Sequence, residues 1–473
     1  MNFKTIIGLE IHSELLTNTK IFCGCKNEFG GDVNTHCCPV CLGLPGALPV
    51  LNENVLEFAV RAGLAFNSDI ARHTKMDRKN YFYPDLTKGY QISQFDIPLC
   101  SEGYVEIDTE EGKKKVGLIR IHMEEDTGKS LHDADGDTLL DFNRSGVPLI
   151  EIVTKPEMNS PKEAYDFLEK LKEILLFTEV SDVKMEQGSL RCDVNVNIIM
   201  EDGRKSNIVE LKNLNSFRNA YKAMEFEVKR HVELLEKGEN TVRETRRWDD
   251  VKGETISMRS KESVQDYRYF PEPDVVNIEV SDEFIEKVRK TLPELPDQKR
   301  ERFVSEYKIP EYDANVLTAS KELSAYYEEV VSLTKEPKLT SNFIMSELLR
   351  RMKDEDLELS GLKFELKEFA ILLNFVKDGK INNNAAKKVF RKMFEEGKNP
   401  EDVIKEEGLI QVQDEGAIKE VVQSVLDANP QSIEDYRNGK DRAFGFLVGQ
   451  VMKESKGKAN PQKVNELLKE MLS

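Results

Sequence analysis

The 473-residue sequence lacks any apolar run as long as a membrane-spanning helix requires, which is roughly 18 to 20 residues. Its first residues, Met1 to Lys4, enter a strand-like run at once, without the charged, apolar and small-residue regions of a secretory signal. Internal repeats and low-complexity tracts are absent, which excludes solenoid and fibrous architectures. We therefore expect a cytosolic protein of several domains with no membrane partner.

The common nucleotide-binding and hydrolase motifs are also missing. The segment from Asp126 to Ser130 (DTGKS) ends like a P-loop, but Met123 occupies the position where that motif requires its first glycine. No G-x-G-x-x-G, kinase motif set or G-x-S-x-G is present. Any chemistry on phosphates must therefore use a site of another kind.

Positively charged regions are scarce in this sequence. Its net charge of −18 argues mildly against a nucleic-acid partner. One exception lies near the C-terminus, where residues 436–463 carry seven basic and two acidic side chains. The candidate contacts to nucleic-acid phosphates are Arg437, Lys440, Arg442, Lys453, Lys456 and Lys458. The alternative is a solvated helix face followed by a flexible loop.

Cysteine is concentrated rather than scattered, because five of the seven cysteines lie between residues 23 and 41. Cys23 and Cys25 form one pair, Cys38 and Cys41 form a second, and 12 residues separate the two pairs. Four thiolates at such spacing predict a closed, structural Zn²⁺ site. His36 and Cys37 are alternative ligands for the same position, and unliganded buried thiols are the other interpretation.

The hydrophobic pattern predicts an α+β domain over residues 1–292, with a mixed or antiparallel sheet, interleaved helices and the zinc-binding insert near 23–41. Its strands are predicted at 5–12, 104–108, 116–123, 149–153, 190–199 and 208–211. Its helices are predicted at 55–67, after a capping box that begins at Ser160, and at 216–237. Pro293 and Pro296 follow, and neither a helix nor a central strand can continue through them.

Nearly everything after these prolines has helical periodicity. Helices are predicted at 296–307, 313–334, 341–353, 363–377, 400–407, 415–428, 432–438, 441–455 and 461–472. We place a helical domain at 293–400 and a smaller helical domain at 401–473.

Acidic and imidazole side chains stand at the ends of several predicted strands. Glu10 and His12 share one face of the first strand, Glu124 and Glu125 end another, and Glu210 lies on a third. Carboxylates beside basic groups suit Mg²⁺, which prefers oxygen ligands and shares them with substrate phosphates. The pattern therefore indicates phosphoryl chemistry.

Several long strings resemble the B subunits of glutamyl-tRNA(Gln)/aspartyl-tRNA(Asn) amidotransferases, and the resemblance runs essentially from end to end. The strings are 7–12 (IGLEIH), 77–85 (DRKNYFYPD), 90–94 (YQISQ), 122–126 (HMEED), 143–144 (NR), 211–216 (LKNLNS) and 266–274 (DYRYFPEPD). The resemblance implies a cradle domain, a helical domain and a tail domain. It also implies two partner proteins in one heterotrimer, namely the amidase, which is the A subunit, and the small C subunit.

The resemblance further implies that ATP phosphorylates the side-chain carboxylate of Glu-tRNA(Gln) or Asp-tRNA(Asn), and that ammonia from the amidase displaces the phosphate. We expect Glu10, His12 and Glu125 to be catalytic, and Lys79, Lys129 and Arg144 to contact phosphates. The expected Mg²⁺ ligands are Glu10, His12, Glu124, Glu125 and Glu210. Asp193 and Asn195 are assigned to the ammonia route, and the basic tail to tRNA. The alternative is a tRNA-binding or scaffold subunit without a catalytic site of its own.

Overall fold

The computed structural model describes residues 2–132, 136–260, 266–411, 415–437, 440–455, 459 and 461–472. It divides the chain into two compact units, residues 1–296 and 297–473. The first unit contains a mixed sheet with helices and the second is helical, so the predicted fold class is confirmed. The finer domain boundaries near residues 292 and 400 stay predictions.

Among the described residues, the strands all belong to the first unit. They are β1 (Phe3–Glu14), β2 (Asp69–Ile70), β3 (His73–Thr74), β4 (Asp77–Asn80), β5 (Tyr90–Ser93), β6 (Cys100–Ser101), β7 (Tyr104–Thr109), β8 (Gly112–Glu125), β9 (Lys129–His132), β10 (Thr138–Asp141), β11 (Pro148–Thr154), β12 (Leu190–Met200), β13 (Val209–Lys212), β14 (Glu244–Asp249), β15 (Glu254–Ser260), β16 (Phe270–Pro271) and β17 (Ile278–Glu279). Its helices are α1 (Glu53–Ala65), α2 (Pro161–Phe177), α3 (Phe217–Glu236) and α4 (Asp282–Thr291), with a short 3₁₀ turn at Met185–Gln187.

The main sheet has the order β15-β14-β13-β12-β1-β11-β8-β6-β2, with β7 also paired to β8. Neighbouring strands are antiparallel except β13 and β14, which are parallel. The first strand therefore lies near the centre, between β11 and β12. Its neighbours come from distant parts of the sequence, so this position gathers residues that are far apart along the chain.

The two faces of β1 differ in chemistry because side chains alternate along a strand. Ile7, Leu9 and Ile11 are fully buried in the apolar core, together with residues of α2 and α3 such as Phe167 and Met224. The opposite face carries the polar side chains. The helices therefore cover one face of the central strands and leave the other for the functional site.

The capping box predicted at the start of α2 differs from the structure in one hydrogen bond. The Ser160 side chain accepts a hydrogen bond from the Glu163 amide at 3.1 Å, as a capping box requires. The Glu163 carboxylate, however, accepts from the Asn159 amide at 2.8 Å. The second bond of the capping box therefore forms with the amide of Asn159, one residue before Ser160, and not with the amide of Ser160 itself.

The helical part contains α5 (Pro296–Ser305), α6 (Glu311–Leu317), α7 (Lys321–Thr334), α8 (Pro337–Phe343), α9 (Leu349–Asp354), α10 (Leu366–Lys377), α11 (Asn383–Glu396), α12 (Pro400–Glu406), α13 (Glu415–Ala428), α14 (Pro430–Arg437), α15 (Asp441–Glu454) and α16 (Pro461–Leu472). A π-helical turn at Ile344–Leu348 joins α8 to α9, and a 3₁₀ turn occupies Leu359–Gly361. Two apolar cores are separate here, one over residues 303–404 and one over 418–472.

The single helix predicted at 313–334 is wrong, because the chain forms α6 and α7 there. The Ser320 side chain accepts a hydrogen bond from the Leu323 amide at 3.1 Å and so begins a new helix. Among the described helices, none combines the length and apolarity that a bilayer crossing requires.

Candidate functional site

Strand register brings one cluster of ligating side chains together on the polar face of the sheet. His12 lies opposite Glu151 of β11, and Glu151 lies opposite His122 of β8. Glu124 follows His122 by two residues and therefore shares its face. The His12 Nε2 atom is 3.4 Å from a carboxylate oxygen of Glu124 and 3.4 Å from one of Glu151. Three residues, His12, Glu124 and Glu151, thus present ligand atoms within 4.8 Å of one another.

A second cluster lies beside the first and consists of carboxylates alone. Glu10 of β1 lies opposite Asp193 of β12, and Glu210 enters from the neighbouring strand β13. Their oxygens also lie within 4.8 Å of one another. Lys212 forms an ion pair with Asp193 and lies 3.5 Å from an oxygen of Glu210. Since residues two apart along a strand are separated by about 6.5 Å, Glu10 and His12 place the two clusters next to each other.

The electrostatics of this face are those of crowded carboxylates. Burial raises the pKa of Glu10, and the charge of Glu151 raises it further. Burial alone would lower the pKa of His12, but its hydrogen bond to Glu151 and the charge of Glu124 outweigh that effect and raise it. Burial opposes ionisation of Glu151, yet His122 and His12 hold the pKa of that carboxyl below its usual range. Such a face gains stability from any cation that enters it.

Lys79, on β4, supplies a positive charge at this site. Its ammonium lies 4.9 Å from the ring centroid of Tyr267 and 5.7 Å from that of Tyr81. Burial acts to lower the Lys79 pKa, but the negative charges of Glu124 and Glu151 raise it overall. The side chain therefore stays an ammonium beside the first cluster.

Glu125 is not brought to either cluster. It follows Glu124 directly, so its side chain leaves β8 in the opposite direction. Its carboxylate is 2.7 Å from the Lys88 ammonium and accepts the Ile92 amide at 2.9 Å. These groups border a separate cavity of about 150 Å³, which Cys41 also lines.

The other two predicted phosphate contacts are placed differently from Lys79. Lys129 is exposed on β9. Arg144 donates hydrogen bonds to the carbonyls of Thr127 and Gly128 at 3.1 and 2.8 Å, and it lies 3.4 Å from Asp126. Its guanidinium therefore holds the loop that follows β8.

The four predicted zinc ligands do come together. The sulfur atoms of Cys23, Cys25, Cys38 and Cys41 all lie within 4.8 Å of one another, and those of Cys38 and Cys41 are 3.9 Å apart. Tetrahedral Zn²⁺ with bonds of about 2.3 Å requires sulfur separations of about 3.8 Å. The donor set and the spacing therefore fit a zinc ion. Cys37 lies outside this group, and its thiol is 3.8 Å from the Asn143 side chain.

Four of the predicted tRNA contacts, Arg437, Lys440, Arg442 and Lys453, are exposed on or beside α14 and α15. Lys440 also pairs with Asp435 at 2.9 Å. Lys456 and Lys458 lie outside the described residues.

Sequence reasoning missed two of the residues that could hold a cation in these clusters. Glu151 was overlooked because it stands inside an apolar run, and Asp193 was assigned only to an ammonia route. The detectable signal was one acidic residue in each of two strands that flank β1. Recognising it required the pairing register, which single-strand periodicity does not give.

Comparisons with known proteins identify the family of this chain. Residues 5–286 match the family described as the GatB/GatE catalytic domain, and residues 325–472 match the GatB domain. The B subunit of the aspartyl/glutamyl-tRNA(Asn/Gln) amidotransferase of Caldicellulosiruptor bescii is 55% identical, covering 100% of this chain and 99% of its own.

Two further relatives carry the same description. The protein of Caldanaerobacter subterraneus subsp. tengcongensis is 55% identical over 100% of both chains. That of Clostridium botulinum is 55% identical over 99% of both. This chain therefore belongs to the family of aspartyl/glutamyl-tRNA(Asn/Gln) amidotransferase B subunits.

Proposed function

We propose that this chain is the component of a tRNA-dependent amidotransferase that activates the side-chain carboxylate of Glu-tRNA(Gln) or Asp-tRNA(Asn) with ATP and amidates it. The products are Gln-tRNA(Gln) or Asn-tRNA(Asn). The amidase partner supplies ammonia from glutamine, and the small C subunit completes the complex. The observation that carries this proposal is the meeting of His12, Glu124 and Glu151 with Glu10, Asp193 and Glu210, in a chain that matches these B subunits over its whole length.

The reaction has two steps. A carboxylate oxygen of the aminoacyl group attacks the γ-phosphorus of ATP, and the bond between that phosphorus and the bridging oxygen of ADP breaks. Ammonia then attacks the activated carbonyl carbon, inorganic phosphate leaves with the former carboxylate oxygen, and the nitrogen loses a proton. Activation is needed because an unmodified carboxylate repels nucleophiles and has no leaving group.

The residues of the two clusters fit a divalent cation. Glu10, Asp193 and Glu210 form an all-oxygen set, which is the set that Mg²⁺ prefers, whereas the set with His12 contains one imidazole. Mg²⁺, when bound, would offset the charge of the ATP phosphates and fix their position. We therefore propose Glu10, His12, Glu124 and Glu210 as ligands, add Glu151 and Asp193, and leave out Glu125.

Of the three cations proposed for phosphate, Lys79 has the best-supported position. The charges of Glu124 and Glu151 raise its pKa, so the side chain stays charged. Its ammonium would face a phosphoryl group at the same clusters and offset the charge that develops during transfer. Lys129 and Arg144 remain proposals for phosphates further out.

We also propose that Cys23, Cys25, Cys38 and Cys41 hold a structural zinc ion, and that the basic side chains around α14 and α15 bind the tRNA backbone. The exposed Arg437, Arg442 and Lys453 support the second proposal. Four protein ligands leave no open position on zinc, so this site takes no part in the chemistry.

The test of the function uses the chain assembled with its amidase and small partners. The complex should hydrolyse ATP when Glu-tRNA(Gln) is added and not with uncharged tRNA. Glu210→Gln should abolish this hydrolysis while the complex still binds Glu-tRNA(Gln). Hydrolysis that does not depend on the aminoacyl group, or that survives Glu210→Gln, contradicts the proposal.

A further inference from the structure

Lys20 is a lysine with no exposed surface, next to the four clustered cysteines. Its ammonium donates hydrogen bonds to the carbonyls of His36 at 2.7 Å and Phe142 at 3.4 Å. Throughout the described residues, no aspartate or glutamate pairs with it. Other largely buried lysines differ in this respect, since Lys88 pairs with Glu125 and Lys75 with Asp77.

A buried charge without a counter-charge is strongly unfavourable, so the surroundings of Lys20 must supply a negative group. Two carbonyls accept from its three N–H groups, but they carry no net charge. The nearby ionisable groups are the cysteine thiols and the Glu125 carboxylate, which would lie 4.0 Å from a Cβ added at Gly146 and already pairs with Lys88 at 2.7 Å. The Lys20 side chain and Cys41 both pack against Gly146, where an added Cβ would lie 3.7 Å from Lys20 Cδ and 3.4 Å from Cys41 Cβ.

Lys20 also connects the two halves of the cysteine segment. Its backbone amide donates to the carbonyl of Cys25 at 3.0 Å, which belongs to the first pair. Its ammonium binds the carbonyl of His36, two residues before the second pair. One residue thereby fixes the separation of the two pairs, and the bond to Phe142 ties both to the loop that precedes β11.

We propose that Lys20 is the counter-ion of the zinc-bound thiolates and the residue that holds the two cysteine pairs at the spacing the metal requires. The proposal rests on the zinc site proposed above. Four thiolates around Zn²⁺ leave two negative charges uncompensated, and the Lys20 ammonium neutralises one of them. Lys20 is a positioning residue, since the four metal ligands remain the cysteines.

The test compares three variants of the full chain. Lys20→Gln keeps a hydrogen-bond donor but removes the charge, Lys20→Arg keeps the charge, and Lys26→Gln changes an exposed lysine of the same segment. Zinc content is measured by atomic emission, and zinc affinity by competition with a chromophoric chelator. Lys20→Gln should weaken zinc binding about 10- to 100-fold. Lys20→Arg and Lys26→Gln should stay within about threefold of the original chain.

A second measurement separates charge from general loosening. Zinc-bound thiolates that have lost their counter-ion are more nucleophilic, so iodoacetamide should alkylate them faster in Lys20→Gln than in Lys20→Arg, both with zinc bound. Zinc in the original chain, with equal affinity and equal alkylation in Lys20→Gln, overturns the Lys20 proposal alone. An original chain that takes up no zinc overturns the zinc site as well.

If Lys20→Gln fails to fold, a further comparison tests the proposal. The same substitution is then made in a chain that carries Cys23→Ser, Cys25→Ser, Cys38→Ser and Cys41→Ser, where no thiolate remains in the cluster. There the proposal expects Lys20→Gln to raise Tm, because it removes a buried ammonium without a counter-ion. An unchanged or lower Tm in that background contradicts it.

Discussion

His12 and Glu151 lie directly opposite each other on the antiparallel strands β1 and β11, and their side chains approach to 3.4 Å. This pair is fixed by backbone register, so neither residue can move away without a shift of the strand. Glu10 is fixed opposite Asp193 in the same way. The sheet register therefore places the proposed cation ligands side by side before any substrate arrives, and such preorganisation is what electrostatic catalysis requires.

The first prediction separates Glu151 from Glu125. Glu151→Gln removes a proposed ligand, so the Mg²⁺ concentration that gives half-maximal ATP hydrolysis should rise at least about 10-fold. Glu125→Gln should leave that concentration within about twofold, because its carboxylate pairs with Lys88 away from the clusters. Titration of Mg²⁺ into the assembled complex measures both. An equal rise in the two variants would mean that Glu125 reaches the cation.

The second prediction concerns Lys79. Lys79→Met should slow aminoacyl-dependent ATP hydrolysis roughly 100-fold at saturating Mg²⁺, since it removes a charge that stabilises the transferring phosphoryl group. Lys79→Arg should recover part of that loss. Lys162→Met, at an exposed position of α2, serves as the matched control and should change the rate less than about threefold.

The third prediction concerns a buried acid outside the site. Burial would raise the pKa of Glu227, but hydrogen bonds with His231 and Arg230 outweigh it and lower the pKa to about 2. A carboxyl whose pKa is depressed by folding contributes stability above its unfolded pKa, and this contribution is lost as the pH falls toward 2. Glu227→Gln should therefore cost about 3 kcal/mol of unfolding free energy at pH 7, and less at pH 4.

Urea denaturation at the two pH values measures this difference. Glu233→Gln, at an exposed position of the same helix, is the control and should cost less than about 0.5 kcal/mol. A cost for Glu227→Gln that does not shrink between pH 7 and pH 4 would show that the carboxylate charge is not what stabilises this part of the fold.

The fourth prediction concerns the basic residues of α15. Arg442→Ala combined with Lys453→Ala should weaken tRNA binding about 10-fold at moderate salt and reduce the slope of log K against log salt concentration by about 2. Lys387→Ala with Arg391→Ala is the control, because these exposed side chains of α11 are already paired with Glu347 and Glu395. Filter binding over a range of salt concentrations tests the two pairs. Equal losses in both would mean that tRNA covers α11 as well.

The strands and helices with strong periodicity were predictable from the sequence. In the first strand, Leu9 and Ile11 alternate with Glu10 and His12, and this alternation alone places the two polar side chains on one face. The helix between Phe217 and Glu236 was predicted within one residue at each end. The local hydrophobic pattern is enough to predict a strand or helix when one face of it is buried and the other is not.

The composition of the site was less predictable, since it depends on contacts between distant segments. The sequence alone does not distinguish the roles of Glu124 and Glu125, yet only Glu124 lies on the same face of the sheet as His12. Glu151 is near His12 because β11 pairs with β1, and the sequence of β11 does not show which strand it pairs with. The break at Ser320 was missed for a local reason, since its side chain begins a new helix within a continuous apolar pattern.

The most direct test of the central claim follows the carboxylate oxygen. Glu-tRNA(Gln) is prepared with ¹⁸O in both oxygens of the glutamate side chain and given to the complex with ATP, Mg²⁺ and ammonia. If the carboxylate is phosphorylated before amidation, each inorganic phosphate released should carry one ¹⁸O atom, as mass spectrometry would show. Gln-tRNA(Gln) formed together with phosphate that contains no ¹⁸O would contradict activation of the carboxylate by ATP.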